Sequence, residues 1–356
     1  MNNPESYHAL VLGDLHYNRP GCQGGEPENE SQKRWRKLSL DMWSGKSRSL
    51  LKDAAGRLER GDFPLVLQTG DLIQGDCIDS ARQSGMFRDA IQTVKQYTGA
   101  ERRFLPVVGN HDLLLQDSAS RTPGYDGQGR CVRPFSGEYE AVRDVLMPFI
   151  AEEAGLETVP EDANYAVRQG PDLFLFVDPF RAGMKEFIER TLDAVPDTRY
   201  VFAVSHLALL PCDPDRALVR WLMPDPAETA ALLASRNAVV LTGHTHWFHF
   251  VRYRHPEGVI AQLAVSSLGT NWPLTAPLHC AMRDYGDYSG EMSPLLTGPE
   301  RVFPPENYLE HRSWCGKVDG KHTGAGGYAV LNIGPEGVSA EIYTGKNNAE
   351  LVLRAA

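Results

Sequence analysis

The stretch Gly243-His244-Thr245-His246 constrains the fold of this 356-residue chain more than any other stretch does. It follows the apolar run 238–241, a pattern typical of a buried β-strand. Two histidines that are separated by one residue, just after a strand, can direct their imidazole nitrogens into one small volume. Because the burial of such polar groups is unfavourable without partners, we expect other parts of the chain to supply polar groups to the same place.

The expected partners follow four other predicted strands. The runs 7–12, 64–69, 104–108 and 200–204 are rich in apolar residues and favour strands, and each is followed closely by residue types that bind metal ions. We interpret these strand ends, together with the one at 243–246, as a single dinuclear metal site with nitrogen and oxygen ligands. The residues that follow the four runs are Asp14, His16, Asp71, Asn110, His111 and His206.

Most of these motifs have a structural alternative when each is considered alone. Asp14 and His16 are two residues apart, which on an extended backbone places them on the same side, but a turn aspartate and a surface histidine would give the same sequence. Asp71 could cap a helix, and His206 could be a hydrogen-bonded core histidine. Gly109-Asn110-His111-Asp112 is more specific, because Asn, His and Asp after a strand and a glycine rarely have a purely structural purpose.

Composition and charge disfavour several classes of protein. The formal net charge of −10 argues against a chain whose main task is to bind a nucleic-acid backbone. No stretch reaches the roughly 18 to 20 apolar residues of a membrane span, and residues 1–6 do not resemble a signal peptide. The six cysteines are scattered without a C-x-x-C pair, which favours reduced thiols. We therefore predict a cytoplasmic protein with no membrane partner, and we disfavour nucleic acid as a partner.

Strand patterns alternate with helical patterns along the chain. This alternation predicts an α/β fold whose sheet is at least partly parallel. The segments 18–31, 113–137 and 267–327 show no clear periodicity and are predicted to be loops. Helices are predicted at 33–60 (with a break near 44–45), 83–97, 138–153, 185–195 and 225–236. Further strands are predicted at 164–168, 173–177, 247–254, 259–265, 328–333 and 338–343.

In their order and spacing, the motifs resemble those of the calcineurin-like metallophosphoesterase family. They extend over residues 14–246, about two thirds of the chain. The resemblance implies an α/β fold, a four-layer α/β/β/α sandwich with two mixed β-sheets, and metal ions at the strand ends. The motifs are Asp14-x-His16, Gly70-Asp71, Gly109-Asn110-His111-Asp112, His206 and Gly243-His244-Thr245-His246.

The resemblance also implies a role for each site residue. One metal ion would be bound by Asp14, His16 and His246, and the other by Asn110, His206 and His244. Asp71 would bridge the two ions. His111 would lie close to the leaving group and help to stabilise or protonate it. Gln74 stands where purple acid phosphatases carry a tyrosine, so an Fe(III)–tyrosinate site is not expected.

The donor chemistry supports the same interpretation. Carboxylate, imidazole and amide oxygen suit Mn, Fe or Zn, and the lack of thiolate ligands argues against a closed structural zinc site. Two cations roughly 3.5 to 4 Å apart can hold a phosphate and lower the pKa of a shared water to about 7. We therefore expect two divalent metal ions and hydrolysis of a small-molecule phosphate mono- or diester through a metal-bridged hydroxide.

Two other functions are compatible with the same fold. One is a non-catalytic scaffold that binds other proteins; the complete ligand set and His111 argue against it. The other is a nuclease, which the acidic charge disfavours. The motifs do not distinguish mono- from diesters and do not indicate an oligomeric state.

We expect one domain over residues 1–356, with a motif core at 7–266. In several bacterial members of the family, a C-terminal segment folds back over the site, and residues 267–356 are expected to lie over or beside it in the same way. Some polar and aromatic residues of this segment could contact substrate, although an ordinary packing or surface role is favoured for each. They are Asn271, Trp272, His279, His311 and His322.

Overall fold

The structure is a computed structural model, and it describes most of the chain. The described residues are 6–22, 30–75, 77–114, 124–125, 131–133, 137–211, 222–268, 280–282, 303–318, 321–324, 326–344 and 348–355.

Strands within these residues form two large mixed sheets and one short pair. In chain order the strands are β1 (Tyr7–Leu12), β2 (Leu65–Gln68), β3 (Arg103–Pro106), β4 (Gly124–Tyr125), β5 (Cys131–Arg133), β6 (Tyr165–Gln169), β7 (Asp172–Val177), β8 (Val201–Ser205), β9 (Val239–Thr242), β10 (Phe248–His255), β11 (Gly258–Ala264), β12 (Cys280–Met282), β13 (Tyr308–Val318), β14 (Lys321–Gly324), β15 (Tyr328–Gly334), β16 (Gly337–Tyr343) and β17 (Asn348–Ala355).

Helices connect and cover the strands. The α-helices are α1 (Glu30–Met42), α2 (Arg48–Leu58), α3 (Ser80–Thr98), α4 (Met147–Ala154), α5 (Met184–Ala194) and α6 (Pro226–Ala234). One π-helical turn, Trp43–Ser47, joins α1 to α2 at the predicted break, and another, Val142–Leu146, precedes α4. Asp79 caps α3 by accepting a hydrogen bond from the Arg82 amide, so this helix begins before the predicted residue 83.

The first sheet has the order β17-β16-β15-β1-β2-β3 among the described strands. Strands β1, β2 and β3 are parallel, and the others pair antiparallel. In the parallel part, Leu12 is level with Gln68, and Gln68 is level with Pro106. The chain therefore leaves these three strands at one edge of the sheet, just before Asp14, Asp71 and Asn110.

The second sheet has the order β12-β13-β10-β11-β9-β8-β7-β6, and β14 pairs with β13. Strands β7, β8, β9 and β11 are parallel. Val177 is level with Ser205, and Val204 is level with Leu241. The carboxyl ends of these strands therefore also meet at one edge, which places His206 and His244 together.

Both sheets are covered on their two faces. Every residue of β2, β7, β8 and β9 is buried, which is typical of parallel strands between layers. Helix α4 contacts β3 of the first sheet, whereas α5 contacts β7 and α6 contacts β11 of the second. The Tyr7 hydroxyl of the first sheet donates to Asp172 of the second at 2.9 Å. This architecture confirms the predicted α/β sandwich with two mixed sheets.

Some sequence predictions were wrong. The segment 267–327 contains β12, β13 and β14 although it was predicted to be a loop, and β17 was not predicted. In the predicted loop 18–31, helix α1 already begins at Glu30, and residues 23–29 lie outside the described residues. The predicted loop 113–137 contains β4 and β5, and most of this segment lies outside the described residues. Within the described part of the chain, no helix is long and apolar enough to cross a bilayer. The cytoplasmic location stays a prediction.

Candidate metal centre

The loops after β1 and β2 are joined by backbone hydrogen bonds. The amides of Leu15 and His16 both donate to the Asp71 carbonyl, at 3.0 and 2.9 Å. The Tyr17 amide donates to the Leu72 carbonyl at 3.0 Å, and the Gln74 amide donates to the Tyr17 carbonyl at 2.8 Å. The two loops therefore form one unit that presents Asp14, His16 and Asp71 together.

Four candidate ligands have a left-handed backbone. Their φ angles are 47° at His16, 53° at Asp71, 67° at His244 and 60° at His246, and they are four of the six non-glycine residues with positive φ in the described chain. Asp14 and His16 direct their side chains to one place, as their spacing led us to expect, but the backbone at His16 is not extended. Such conformations are unfavourable and persist where the surroundings enforce them, often at functional sites.

Glycines allow the loops to approach each other closely. Gly70 has a φ of +94°, and a Cβ atom there would lie 2.5 Å from Nδ1 of His206. A Cβ atom on Gly109 would lie 2.1 Å from the Asp71 amide nitrogen. Neither contact is possible, so any side chain at these positions would separate the candidate ligands.

The first group of donors contains Asp14, His16 and His246. Nε2 of His246 lies 3.3 Å from Oδ2 of Asp14 and 3.1 Å from Nε2 of His16. Both carboxylate oxygens of Asp14 accept the His244 amide proton, at 3.0 and 3.1 Å, which fixes the carboxylate plane. One ligand atom from each of the three residues lies within 4.8 Å of the others.

The second group contains Asp71, His206 and His244, with Asn110 beside it. Nε2 of His206 lies 2.9 Å from Oδ1 of Asn110, 2.9 Å from Nδ1 of His244 and 3.4 Å from Oδ2 of Asp71. Nδ1 of His206 donates to the Thr69 carbonyl at 2.9 Å, so Nε2 is the nitrogen that faces the centre. The same Oδ2 of Asp71 lies 3.8 Å from Nε2 of His16, between the two groups.

His111 lies beside the two groups. Its amide donates to Oδ1 of Asp71 at 2.7 Å, and its Nδ1 donates to the Gln74 carbonyl at 2.8 Å. The His111 ring stands perpendicular to that of His16, with 4.8 Å between centroids. Because Nδ1 is engaged with a carbonyl, Nε2 is the nitrogen that can exchange a proton with a bound molecule.

Burial shifts the pKa values of the candidate ligands. Burial raises the pKa of Asp14 to about 8 and lowers that of His246 to about 4. Burial would also lower the pKa of His206, but the charge of Asp71 raises it to about 9. Burial opposes ionisation of Asp71, yet the nearby charges of His206 and His111 hold its pKa well below the usual range. The carboxylate form of Asp71 is therefore stabilised by the histidines around it, and the ionisation of each group in the centre depends on its neighbours.

These residues fit two divalent cations. The Nε2 atoms of His16 and His246 face each other at 3.1 Å, and their lone pairs repel unless a proton or a metal ion lies between them. Nδ1 of His16 is buried and has no hydrogen-bond partner among the described residues. The nitrogen and oxygen donors are those that Mn, Fe and Zn accept.

Two supporting residues were not identified from the sequence. Asp112 was noted only as part of its motif, yet its buried carboxylate accepts the amides of Ile73 at 3.0 Å and Gly109 at 2.8 Å. It thereby joins the loop after β2 to the loop after β3. Ser267 donates to the Asp14 carbonyl at 2.9 Å, so the start of the C-terminal segment lies beside the centre. Contacts between side chains and distant backbone leave no pattern in the sequence.

The structure describes one of the side chains in the C-terminal segment that could contact substrate. His311 is buried on β13, and its ring is stacked with that of His249 at 6.1 Å. The side chain of His322 is not described, and Asn271, Trp272 and His279 lie outside the described residues.

A sequence profile of the calcineurin-like phosphoesterases matches residues 7–248. The chain belongs to the calcineurin-like phosphoesterase family. This match includes every strand end that contributes to the candidate metal centre. A comparison with curated protein sequences gives no match.

Comparison with solved structures gives matches at low sequence identity, and the first of the following shares the fold. The crystal structure of a dimetal phosphatase from Danio rerio is 13% identical with a TM-score of 0.51, covering 98% of this chain and 100% of that chain. The anchor of the inner membrane complex of Plasmodium is 10% identical with a TM-score of 0.41, at coverages of 99% and 90%. Vacuolar protein sorting 29 from Cryptosporidium parvum is 12% identical with a TM-score of 0.34, at coverages of 98% and 100%.

Proposed function

We propose that this protein is a dinuclear metal-dependent phosphoesterase that hydrolyses a small-molecule phosphate mono- or diester. The observation that supports the proposal is the convergence of seven candidate donor residues from five strand ends of two sheets. Ligand atoms of six of them lie in groups within 4.8 Å, and Oδ1 of the seventh, Asn110, lies 2.9 Å from Nε2 of His206. One ion would be held by Asp14, His16 and His246, and the other by Asn110, His206 and His244. Asp71 would bridge them, since its Oδ2 lies between the groups.

Each side chain would have a distinct role in hydrolysis. When bound, two Mn, Fe or Zn ions would supply positive charge to the phosphoryl oxygens and would lower the pKa of water. The Asp71 carboxylate is oriented by the hydrogen bond that its Oδ1 accepts from the His111 amide. His111 presents Nε2 beside the centre, where a proton can be given to the leaving oxygen, and its bond to the Gln74 carbonyl fixes the ring.

We also propose that residues 1–356 act as one domain, with the motif core at 7–266. Strands from both parts pair with each other, since β15 pairs with β1 and β13 pairs with β10. The first residues of the segment 267–356 would lie beside the centre, because the Leu268 amide and the Ser267 hydroxyl donate to the Asp14 carbonyl.

Hydrolysis of model esters tests the proposed function. The full chain should hydrolyse bis-p-nitrophenyl phosphate or p-nitrophenyl phosphate with added Mn²⁺, and the ratio of the two rates shows whether diesters or monoesters are preferred. His246→Ala should abolish turnover because it removes a ligand. His255→Ala is the matched control, since this histidine lies at the far end of β10. No turnover with any of Mn, Zn, Fe, Co or Ni would contradict the proposal.

A further inference from the structure

A buried tyrosine–aspartate pair lies beside the Asn110–His206 half of the candidate centre. The Tyr139 hydroxyl donates to Oδ2 of Asp178 at 2.8 Å. Asp178 is fully buried and immediately follows β7, the neighbour of β8, which ends before His206. The pair is therefore at the same edge of the second sheet as the metal ligands, but neither residue is a ligand.

On one side, the pair holds the loop that covers His206. Oδ1 of Asp178 accepts the Phe180 amide at 2.9 Å, and the Asp178 amide donates to Oδ1 of Asn164 at 2.8 Å. The Phe180 ring lies 6.1 Å from the His206 ring, centroid to centroid, and is almost fully buried. Phe180 thus limits rotation of the imidazole whose Nε2 faces Asn110, His244 and Asp71.

On the other side, the pair is tied to the chain that follows Asn110 and His111. The Glu138 amide donates to the Leu114 carbonyl at 2.9 Å, and the Leu114 amide donates to the Glu138 carbonyl at 3.2 Å. Leu114 is three residues after His111, and Tyr139 directly follows Glu138. The Arg181 guanidinium lies 4.2 Å above the Tyr139 ring and restrains it further.

We propose that Tyr139 and Asp178 are positioning residues, which fix the Asn110–His206 half of the metal centre by joining the chain after His111 to the Phe180 loop. This inference rests on the proposed metal centre. Groups that orient a metal ligand without touching the ion typically contribute 10- to 100-fold to metal affinity or activity. The effect is expected at one of the two ions only, because the described hydrogen bonds of the pair lead to the Phe180 loop and to Asn164, and none of them joins the Asp14–His16–His246 group.

The structure offers a matched control at the opposite end of the same strand. The Tyr7 hydroxyl donates to buried Asp172, the first residue of β7, at 2.9 Å. Tyr7→Phe therefore deletes the same kind of hydrogen bond as Tyr139→Phe, a phenol to a buried carboxylate. Asp172 retains Arg199 as a partner at 2.7 Å, and the pair is distant from the strand ends that hold the ligands.

Co²⁺ titration of the full chain, followed by visible absorption and calorimetry, tests the inference. Tyr139→Phe should lower the affinity for one of the two Co²⁺ ions about tenfold, and the affinity for the other ion should stay within about threefold of the wild-type value. Asp178→Ala should do the same, whereas Asp178→Asn should bind both ions as the wild type does. An asparagine amide can still accept the Phe180 amide proton and donate to the tyrosine oxygen.

Kinetics complete the test. With bis-p-nitrophenyl phosphate and saturating metal, Tyr139→Phe should lower kcat about tenfold and keep KM within about twofold of the wild-type value. Tyr7→Phe should leave both constants unchanged. Equal Co²⁺ affinities in Tyr139→Phe, Tyr7→Phe and the wild type would overturn the inference. If the wild type binds two Co²⁺ ions but hydrolyses no ester, the proposed function is wrong. The Co²⁺ affinities of the variants then still test whether Tyr139 and Asp178 position the metal ligands. If the wild type binds no Co²⁺, both fail.

Discussion

His111 differs from the other histidines of the centre in what its ring nitrogens contact. His16, His206, His244 and His246 all place a nitrogen within 3.1 Å of another candidate ligand atom. His111 instead donates from Nδ1 to a backbone carbonyl. A histidine held in this way keeps one tautomer and exposes the other nitrogen, which suits proton transfer to a leaving group.

His111→Ala should lower kcat by about 10² to 10⁴, the usual contribution of a positioned acid or base. The variant should still bind two metal ions per chain, because the proposed ligand set does not include His111. Steady-state kinetics and elemental analysis of the same preparation measure both quantities. A fall from two ions to one would instead identify His111 as a ligand, and full activity would exclude the proposed role.

The residues predicted from the sequence as ligands lie close together, but their backbone conformation was not predicted. His244, His246, Asp71 and Asn110 could be proposed as ligands because such residues follow several predicted strands together, although most of the motifs have a structural alternative when considered alone. The left-handed backbone at His16 and Asp71 could not be predicted, since neither is a glycine and the strain is imposed by the neighbouring loop. The support that Asp112 gives to two loops was missed for a related reason, as its partners are backbone amides.

At the scale of elements, strand β7 carries a buried aspartate at each end. Asp172 is paired with Arg199, but Asp178 accepts only neutral donors in the hydrogen bonds described here. Burial raises the pKa of Asp178 to about 6, although Phe180, Tyr139 and the charge of Arg181 act to lower it. Asp162 adds a nearby negative charge with the opposite effect.

A raised carboxyl pKa makes stability fall as pH rises. The folded protein binds the Asp178 proton more tightly than the unfolded protein does. The contribution of this proton to the free energy of unfolding is therefore complete below about pH 4 and is lost as pH rises through about 6. The difference from the ordinary value of 3.8 corresponds to at most about 3 kcal/mol. Asp178→Asn should remove this dependence while keeping the hydrogen bonds.

Urea unfolding with EDTA, from pH 4 to pH 7, measures this effect. The free energy of unfolding of Asp178→Asn, minus that of the wild type, should increase with pH by about 1 to 3 kcal/mol. Tyr7→Phe is the comparison, because it alters the other end of β7. A difference that stays constant with pH would contradict the assignment.

Strands were predicted well where they are buried on both faces. The continuous apolar runs of β2, β7, β8 and β9 have no other simple interpretation. In contrast, β13 exposes Leu309 and buries His311, and β17 exposes Val352, so their residue types do not follow the burial pattern. Such strands are specified by the neighbours with which they pair.

At the scale of the whole molecule, the candidate metal centre connects the two sheets. Its ligands follow three strands of the first sheet and two of the second. Metal ions that bind the folded chain and not the unfolded chain stabilise it by mass action. At a free metal concentration 100 times the Kd, the gain is about 2.7 kcal/mol for each ion.

Removal of metal should therefore lower the Tm of the whole chain in one transition. Calorimetry with saturating Mn²⁺ and with EDTA measures the difference, and His246→Ala should show a smaller one because a ligand is missing. His255→Ala should behave as the wild type does. An identical Tm with and without metal would mean that no cation stabilises the fold.

The pairing of β1 also has a consequence for how the protein is made. This strand leads to Asp14, and it lies between β2, which is synthesised early, and β15, which is synthesised late. During translation, one side of β1 lacks its partner until residues 328–334 have left the ribosome. The loop that carries Asp14, the first candidate ligand, thus gains its full support only near the end of synthesis, and a nascent chain stalled before β15 should bind metal poorly.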